Sequence, residues 1–508
     1  MMTAILFAAS TLGMAGPVLA RSAPQTTSVA ASNAIVGDWR GAIVPAPGRS
    51  IPLILHISGT PGSLTATLDS PAQGAVGLSV ASVKQEGKTL HLVLTTPSAS
   101  YTAILSDDGR TLEGTWSQGG GSISLTMTRA TTRTAPAAMS GTARPQTPRP
   151  PFPYRVEEVT YDNAIGGSHL AGTLTLPANN VRENDGAANK GLFPAVLLIT
   201  GSGLQDRDET LFGHKPFLVW ADALTRRGVA VLRVDDRQTG GSTGDVRTAT
   251  TADFAGDVEA GLAFLRSRRD VDASRIGLIG HSEGGIIAPI VADRDPALAF
   301  IVLLSSPGEP LEQVLLSQKR WLETAAGVPK ATVDQSAATM QRLYDAVKSA
   351  PDQQSADSRL AAAWHLIAQH GGKHDGERGG RRDDAAAPAP VPIGLRTIAQ
   401  PWMRWFLSYD PRPALEKVRC PVLALGGSKD VQVPASRNLA DIKAALHDNP
   451  DATTIEIAGL NHLLQTAPTG NVSEYARIEE TVSPIALKTV GDWIVDRTKR
   501  TRGRPKLG

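Results

Sequence analysis

The sequence predicts an α/β fold from about residue 154 onward, interrupted by a helical cap and preceded by a small all-β domain. Three observations carry this reading. Beyond residue 154, apolar and β-branched runs alternate with segments of helical period, the pattern of a parallel sheet covered on both faces. Over residues 36–129 the runs are short and alternating, with Gly, Pro and Asp-Gly between them. Over residues 307–419 helical segments follow one another without a convincing strand. At 508 residues the chain exceeds one compact core, since single cores stop growing near about 250–300 residues.

Taken in order, residues 1–20 are uncharged and apolar and end in Val18-Leu19-Ala20, small residues suited to signal-peptidase cleavage. A signal peptide and export to the periplasm or outside the cell are therefore expected. In the all-β domain, 53–57, 90–94 and 123–127 read as strands, and Asp108-Gly109 marks a hairpin of a barrel or sandwich. Residues 130–153, with Pro145, Pro148, Pro150, Pro151 and Pro153, read as a linker.

The α/β domain is expected over 154–500. Its strands fall at 156–161, 169–176, 195–200, 229–234, 275–279 and 300–304, with helices at 215–227 and from residue 282. Another helix carries Phe254, Val258, Leu262 and Leu265 on one face. The cap is expected over 307–419, with helices at 312–324 and 338–348, and residues 370–392 read as a disordered loop. The alternation then resumes with a strand at 422–425, a helix at 435–446, a strand at 453–457 and a helix at 485–496.

Composition excludes some classes. The 51 basic residues are scattered among 49 acidic ones for a formal charge of +2, with no basic block, so nucleic acid is not an expected partner. No segment is long and apolar enough to suggest an integral membrane span. Cys420, the single cysteine, cannot form an intrachain disulfide and reads as a packed small hydrophobe. His365, His370 and His374 lack the spacing and nearby ligands of a metal site, and neither metal nor cofactor is expected.

The chemistry is carried by separated motifs. Acyl transfer by serine needs an exposed hydroxyl, a histidine to take its proton, a carboxylate to hold the imidazole, and amides facing the oxyanion. Gly280-His281-Ser282-Glu283-Gly284 fits Gly-x-Ser-x-Gly directly between a strand and an apolar helix, which makes Ser282 the candidate nucleophile. A second match at Gly240-Gly241-Ser242-Thr243-Gly244 follows a polar loop and opens no apolar helix. Asp430, at the end of the 422–425 strand, is the candidate acid, preferred to Asp441, and His462, after the 453–457 strand, is the candidate base. That gives the order Ser, acid, His. The oxyanion donors expected are the amides of Glu283 and Gly203, with Leu204 next. Trp402, Trp405 and Phe406, with Leu204, are candidates for a substrate pocket.

The run LLITGSGLQDRDETLFGHKPFLVWADALTRRGVAVLRVDDRQTGGSTG, with GLIGHSEGG, GGSKDVQVP and GLNHLLQ, resembles bacterial carboxylesterases of the esterase D type. The resemblance implies an α/β-hydrolase fold with an inserted helical cap and hydrolysis of small carboxylic esters with short acyl chains. It carries over to Ser282, Asp430 and His462 as the triad. It also tolerates a β-rich segment before the hydrolase. One departure is Gln238, where the pattern reads Asp-Asp-Arg-Gly. Peptidase and thioesterase activities on the same triad stay open, as does a non-catalytic binding protein on this fold. The oligomeric state is not legible.

Overall fold

The computed structural model describes residues 35–46, 49–60, 63–70, 75–94, 99–118, 121–130, 144–178, 192–325, 327–371 and 391–499. The expected signal peptide, most of the 370–392 loop and residues 131–143 of the expected linker lie outside these. The chain divides into two compact units, residues 1–141 with 360–397, and residues 142–359 with 398–508.

In the first unit, eight strands close a barrel: β1 (Gly37–Ala46), β2 (Arg49–Thr60), β3 (Ser63–Ser70), β4 (Ala75–Glu86), β5 (Thr89–Leu94), β6 (Ala99–Leu105), β7 (Thr111–Gln118) and β8 (Gly121–Arg129). Each pairs antiparallel with the next, and β1 closes on β8 through Trp39 opposite Arg129 and Gly41 opposite Met127. Alternation fills the interior: in β6, Ala99, Tyr101, Ala103 and Leu105 are buried and Thr102 and Ile104 exposed. Trp39, Leu55, Leu90 and Leu112 complete a packed core, so the barrel encloses side chains and not a channel. Asp108-Gly109 does turn the chain between β6 and β7, with Gly109 in the left-handed region at φ 67°.

The second unit is built on an eight-stranded sheet. Its strands are β9 (Arg155–Asn163), β10 (Ser168–Leu176), β11 (Phe193–Ile199), β12 (Ala230–Val234), β13 (Val271–His281), β14 (Phe300–Leu304), β15 (Val422–Gly427) and β16 (Ala452–Ile457). Their order is β16-β15-β14-β13-β11-β12-β10-β9, parallel from β16 to β12, with β10 and β9 added antiparallel. The central strands are apolar throughout because both faces are covered. On one face Val196, Leu198, Phe300 and Leu423 pack with helices α1 (Pro216–Thr225) and α11 (Pro484–Thr498) through Phe217, Trp220, Val490 and Ile494. On the other, α2 (Thr251–Ser267) approaches so closely that a Cβ on Gly261 would lie 2.4 Å from Leu197. Helices α3 (Gly284–Arg294) and α10 (Ala435–Ala445) follow β13 and β15. This connectivity is the α/β-hydrolase fold.

The helical insertion expected as a cap lies between β14 and β15. It comprises α4 (Leu311–Ala325), α5 (Lys330–Lys348), α6 (Gln353–Gly371), α7 (Ile393–Arg396), α8 (Pro401–Ser408) and α9 (Arg412–Leu415).

The expected spacer takes a different form from residue 144 on, where it is bonded into the hydrolase unit. The Arg144 guanidinium donates to the carbonyls of Phe212, Ala476 and Ile478 at 3.0, 2.8 and 2.6 Å. The Gln146 side-chain carbonyl accepts from the amides of Thr481 and Val482. Proline content marks the absence of helix, and these two polar side chains, not the prolines, fix the segment in place.

Candidate active site

Ser282 occupies the turn between β13 and α3 with φ 53°, a left-handed conformation uncommon for a residue with a side chain. The flanking glycines make the turn sterically possible. A Cβ on Gly280 would fall 2.0 Å from the Gly284 carbonyl oxygen, and one on Gly284 would fall 2.2 Å from that of Ile199. The strained turn is therefore packed between the end of β11 and its own helix. The Glu283 amide opens α3 and has no intramolecular acceptor among the described residues. The same is true of Gly203, in the loop after β11, whose φ is 110°.

Asp430 lies just beyond β15 and His462 in the loop beyond β16. His462 Nδ1 is 2.8 Å from Asp430 Oδ2, and both side chains are buried. Asp430 Oδ1 accepts from the amides of Gln432 and Val433 at 2.9 and 2.8 Å, so the carboxylate is anchored by its own loop. Asp441, set aside in the sequence, belongs to α10. The His281 ring, adjacent to Ser282, lies 4.9 Å from that of His462, which brings the base loop beside the serine turn. Among the described residues no hydrogen bond joins Ser282 Oγ to His462.

Sequence reasoning missed Glu209. This buried residue, with φ 52°, accepts from the Gly201 amide at 2.8 Å and faces His281 Nδ1 at 2.8 Å. His281 Nε2 meets the His462 carbonyl oxygen at 3.0 Å. Burial presses the His281 pKa down, but the charge and bond of Glu209 outweigh it and leave the pKa raised. Nothing in the local sequence singles out Glu209 beyond its place in the acidic run Asp206-Arg207-Asp208-Glu209.

A cavity opens beside the loop after β11, lined by Gly203, Leu204, Asp236, Phe254, Glu283 and Ile287 among others. Burial raises the pKa of Glu283 despite donors from Thr251, Trp402 and Ser202. Burial also raises Asp236 well above the usual carboxylate range, and the nearby charges of Glu283 and Glu209 add to the effect. Leu204 lines this cavity, and Ser282, Asp430, His462, Trp402, Trp405 and Phe406 are not among its lining residues. Trp402 Nε1 donates to Glu283 Oε1 at 2.8 Å, Trp405 stacks on Tyr409, and Phe406 is buried against Trp402. These aromatic rings pair at i, i+4 spacing, Trp402 with Phe406 and Trp405 with Tyr409.

Ser242 is occupied elsewhere. Its hydroxyl donates to the Asp235 carbonyl at 2.7 Å and accepts from the Ala171 amide at 2.9 Å, which holds a loop against β10. Burial pushes the Cys420 thiol up to about 11, against a nucleophilic role. His365 is hydrogen-bonded to Gln369, and His374 lies outside the described residues.

Residues 142–462 match the model of the X-Pro dipeptidyl-peptidase (S15) family. The chain belongs to that family. The matched span of this S15-family chain begins just before Arg144 and ends on His462, so it takes in the anchored segment and all three triad candidates. Esterase EstD of Thermotoga maritima is 32% identical over 155 residues, covering 30% of this chain and 34% of the relative. The alignment thus spans about a third of that curated relative's length. Among solved structures, Est1E from Butyrivibrio proteoclasticus with ferulic acid bound is 16% identical, covers 67% of this chain and 98% of its own, and has a TM-score of 0.37. The Pyrococcus furiosus esterase Pf2001 is 15% identical, covers 69% and 92%, and has a TM-score of 0.39. Among the described residues of this S15-family chain, no helix is long and apolar enough to cross a membrane.

Proposed function

We propose that the protein is a serine hydrolase that cleaves small carboxylic esters, with short acyl chains, through an acyl-enzyme on Ser282. The observation that carries this reading is the buried 2.8 Å contact of His462 Nδ1 with Asp430, set beside the strained serine turn. Asp430 fixes the tautomer that leaves His462 Nε2 free to take a proton. Ser282 Oγ then attacks the ester carbonyl, its proton passes to His462 Nε2, and the Glu283 and Gly203 amides hold the oxyanion. Collapse expels the alcohol with the proton from His462. Water attacks the acyl-enzyme by the same route and releases the acid.

The ester substrate rests on the esterase D resemblance and on the EstD match. A second reading, peptide hydrolysis, is favoured by the family's description. The deciding experiment compares turnover of p-nitrophenyl esters of graded acyl length with that of aminoacyl-prolyl-nitroanilides and acyl-CoA. Highest kcat/KM on short-chain esters supports the reading. Preference for the nitroanilides would replace it with the peptidase, and preference for acyl-CoA with a thioesterase. Absence of any labelling by a fluorophosphonate would leave a binding protein. Export directed by residues 1–20 is part of the same proposal, and the N-terminus of the protein recovered from the periplasm or medium tests it.

A further inference from the structure

We propose that Glu209 and His281 form a positioning pair that ties the loop after β11, the nucleophile turn and the base loop into one rigid set. The inference rests on the serine-hydrolase reading above and assigns to it two residues that touch neither the ester nor the transferred proton.

The argument begins with the donors and acceptors. Glu209 Oε1 accepts the Gly201 amide at 2.8 Å and also meets His281 Nδ1 at 2.8 Å. His281 Nε2 meets the His462 carbonyl oxygen at 3.0 Å. A carbonyl oxygen only accepts, so Nε2 carries a hydrogen. Nδ1 faces the Glu209 carboxyl group, so the ring is held between that carboxyl and a carbonyl. The pair has little access to water, with side-chain exposures of 9% for His281 and 5% for Glu209, so each buried polar group depends on the other for its hydrogen bond.

Three chain segments meet at this pair. Gly201 begins the loop that carries the proposed oxyanion donor Gly203. His281 is the residue before Ser282, and the His462 carbonyl belongs to the proposed base. Sheet pairing carries β13 as far as His281, and the Ser282 amide donates to the Leu304 carbonyl at 2.9 Å, but β11 and β16 end before Gly201 and His462. Space is tight as well: a Cβ on Gly201 would lie 3.2 Å from Glu209 Oε1 and 3.4 Å from the Ser282 Cβ. Glu209 also keeps a left-handed backbone, a conformation that persists where the surroundings hold it and that concentrates at working sites.

The test uses the full chain with Glu209→Ala and Glu209→Gln. Steady-state kinetics on a p-nitrophenyl ester are normalised to the fraction of Ser282 labelled by a fluorophosphonate, and thermal unfolding is recorded alongside. Displacement by about 1 Å costs on the order of 10²-fold, so Glu209→Ala should lower kcat per labelled site by about that factor and move KM by less than about twofold. Glu209→Gln keeps an acceptor for Gly201 but puts an amide in place of the carboxyl group that faces His281, and should fall between, about tenfold below wild type. An alanine variant with lowered thermal stability but wild-type kcat per labelled site would overturn the proposal and leave a structural ion pair. If the alanine variant does not fold, Glu209→Gln decides, and a wild-type kcat there would overturn it equally. Failure of wild-type Ser282 to label would remove the reaction on which the pair rests, and the label distinguishes that result from the others.

Discussion

His462 Nδ1 lies 2.8 Å from Asp430 Oδ2, while Oδ1 of the same carboxylate is held by the amides of Gln432 and Val433. One oxygen orients the imidazole and the other is fixed by the loop that carries it. Asp430→Asn keeps the shape and can keep the loop bonds, but it places an amide where an acceptor is needed and so favours the wrong tautomer of His462. Turnover should fall by about 10⁴ with the thermal melt nearly unchanged. Parallel kinetics and calorimetry check this, and near-normal turnover would assign the acid elsewhere.

Stability should depend on pH through His214. Burial lowers its pKa to about 4, while its ring bonds to Thr481, Tyr475 and Gln465 brace the segment that follows His462. The folded state therefore binds fewer protons than the unfolded state between pH 6.5 and about 4, and stability falls as pH falls through that window. Above pH 6.5 both states are neutral at this residue and it adds no slope. The full effect is on the order of 3 kcal/mol at about 1.4 kcal/mol per pKa unit. Urea unfolding at pH 7 and pH 5 should show the loss in wild type and a smaller one in His214→Gln.

Arg144 and Gln146 should matter to the hydrolase unit although they fall within a proline-rich stretch. Arg144→Ala removes a guanidinium from three backbone carbonyls and should cost about 1.5–3 kcal/mol in urea unfolding, the usual range for bonds to a charged group. Arg149→Ala, at an exposed position, is the control and should change little.

Gln238 occupies a left-handed backbone position with φ 61° and is exposed. The esterase D pattern has glycine there, and the conformation gives the reason. Gln238→Gly relieves a left-handed penalty of roughly 1–2 kcal/mol and adds roughly 0.5–1 kcal/mol of unfolded-state entropy. A net gain of about 0–1.5 kcal/mol is expected, with kcat unchanged, in urea unfolding and ester turnover.

The triad candidates were legible because steric rules tie Gly-x-Ser-x-Gly to a strand-to-helix turn, and because the ends of parallel strands gather at one edge of a sheet. The sheet itself was legible from runs such as Val196–Leu198 and Val302–Leu304, apolar on both faces. Glu209 was not legible, since its role depends on a histidine and a glycine far away in sequence and on a backbone angle that no local pattern encodes. The ring partners of the aromatic residues of α8 were not legible for a related reason. Composition shows that Trp405 is apolar and bulky, but not that Tyr409, one helical turn on, stacks against it. Proline density likewise hid the two polar anchors, Arg144 and Gln146.

The central claim is that Ser282, and not Ser242, is acylated. Fluorophosphonate labelling of the full chain, followed by peptide mapping, tests it most directly. The label should fall on the peptide containing Gly280-His281-Ser282-Glu283-Gly284, and Ser282→Ala should abolish it and lower turnover by on the order of 10⁶. Ser242→Ala should leave the labelling stoichiometry intact. Label on another serine, or equal losses from both substitutions, would contradict the assignment.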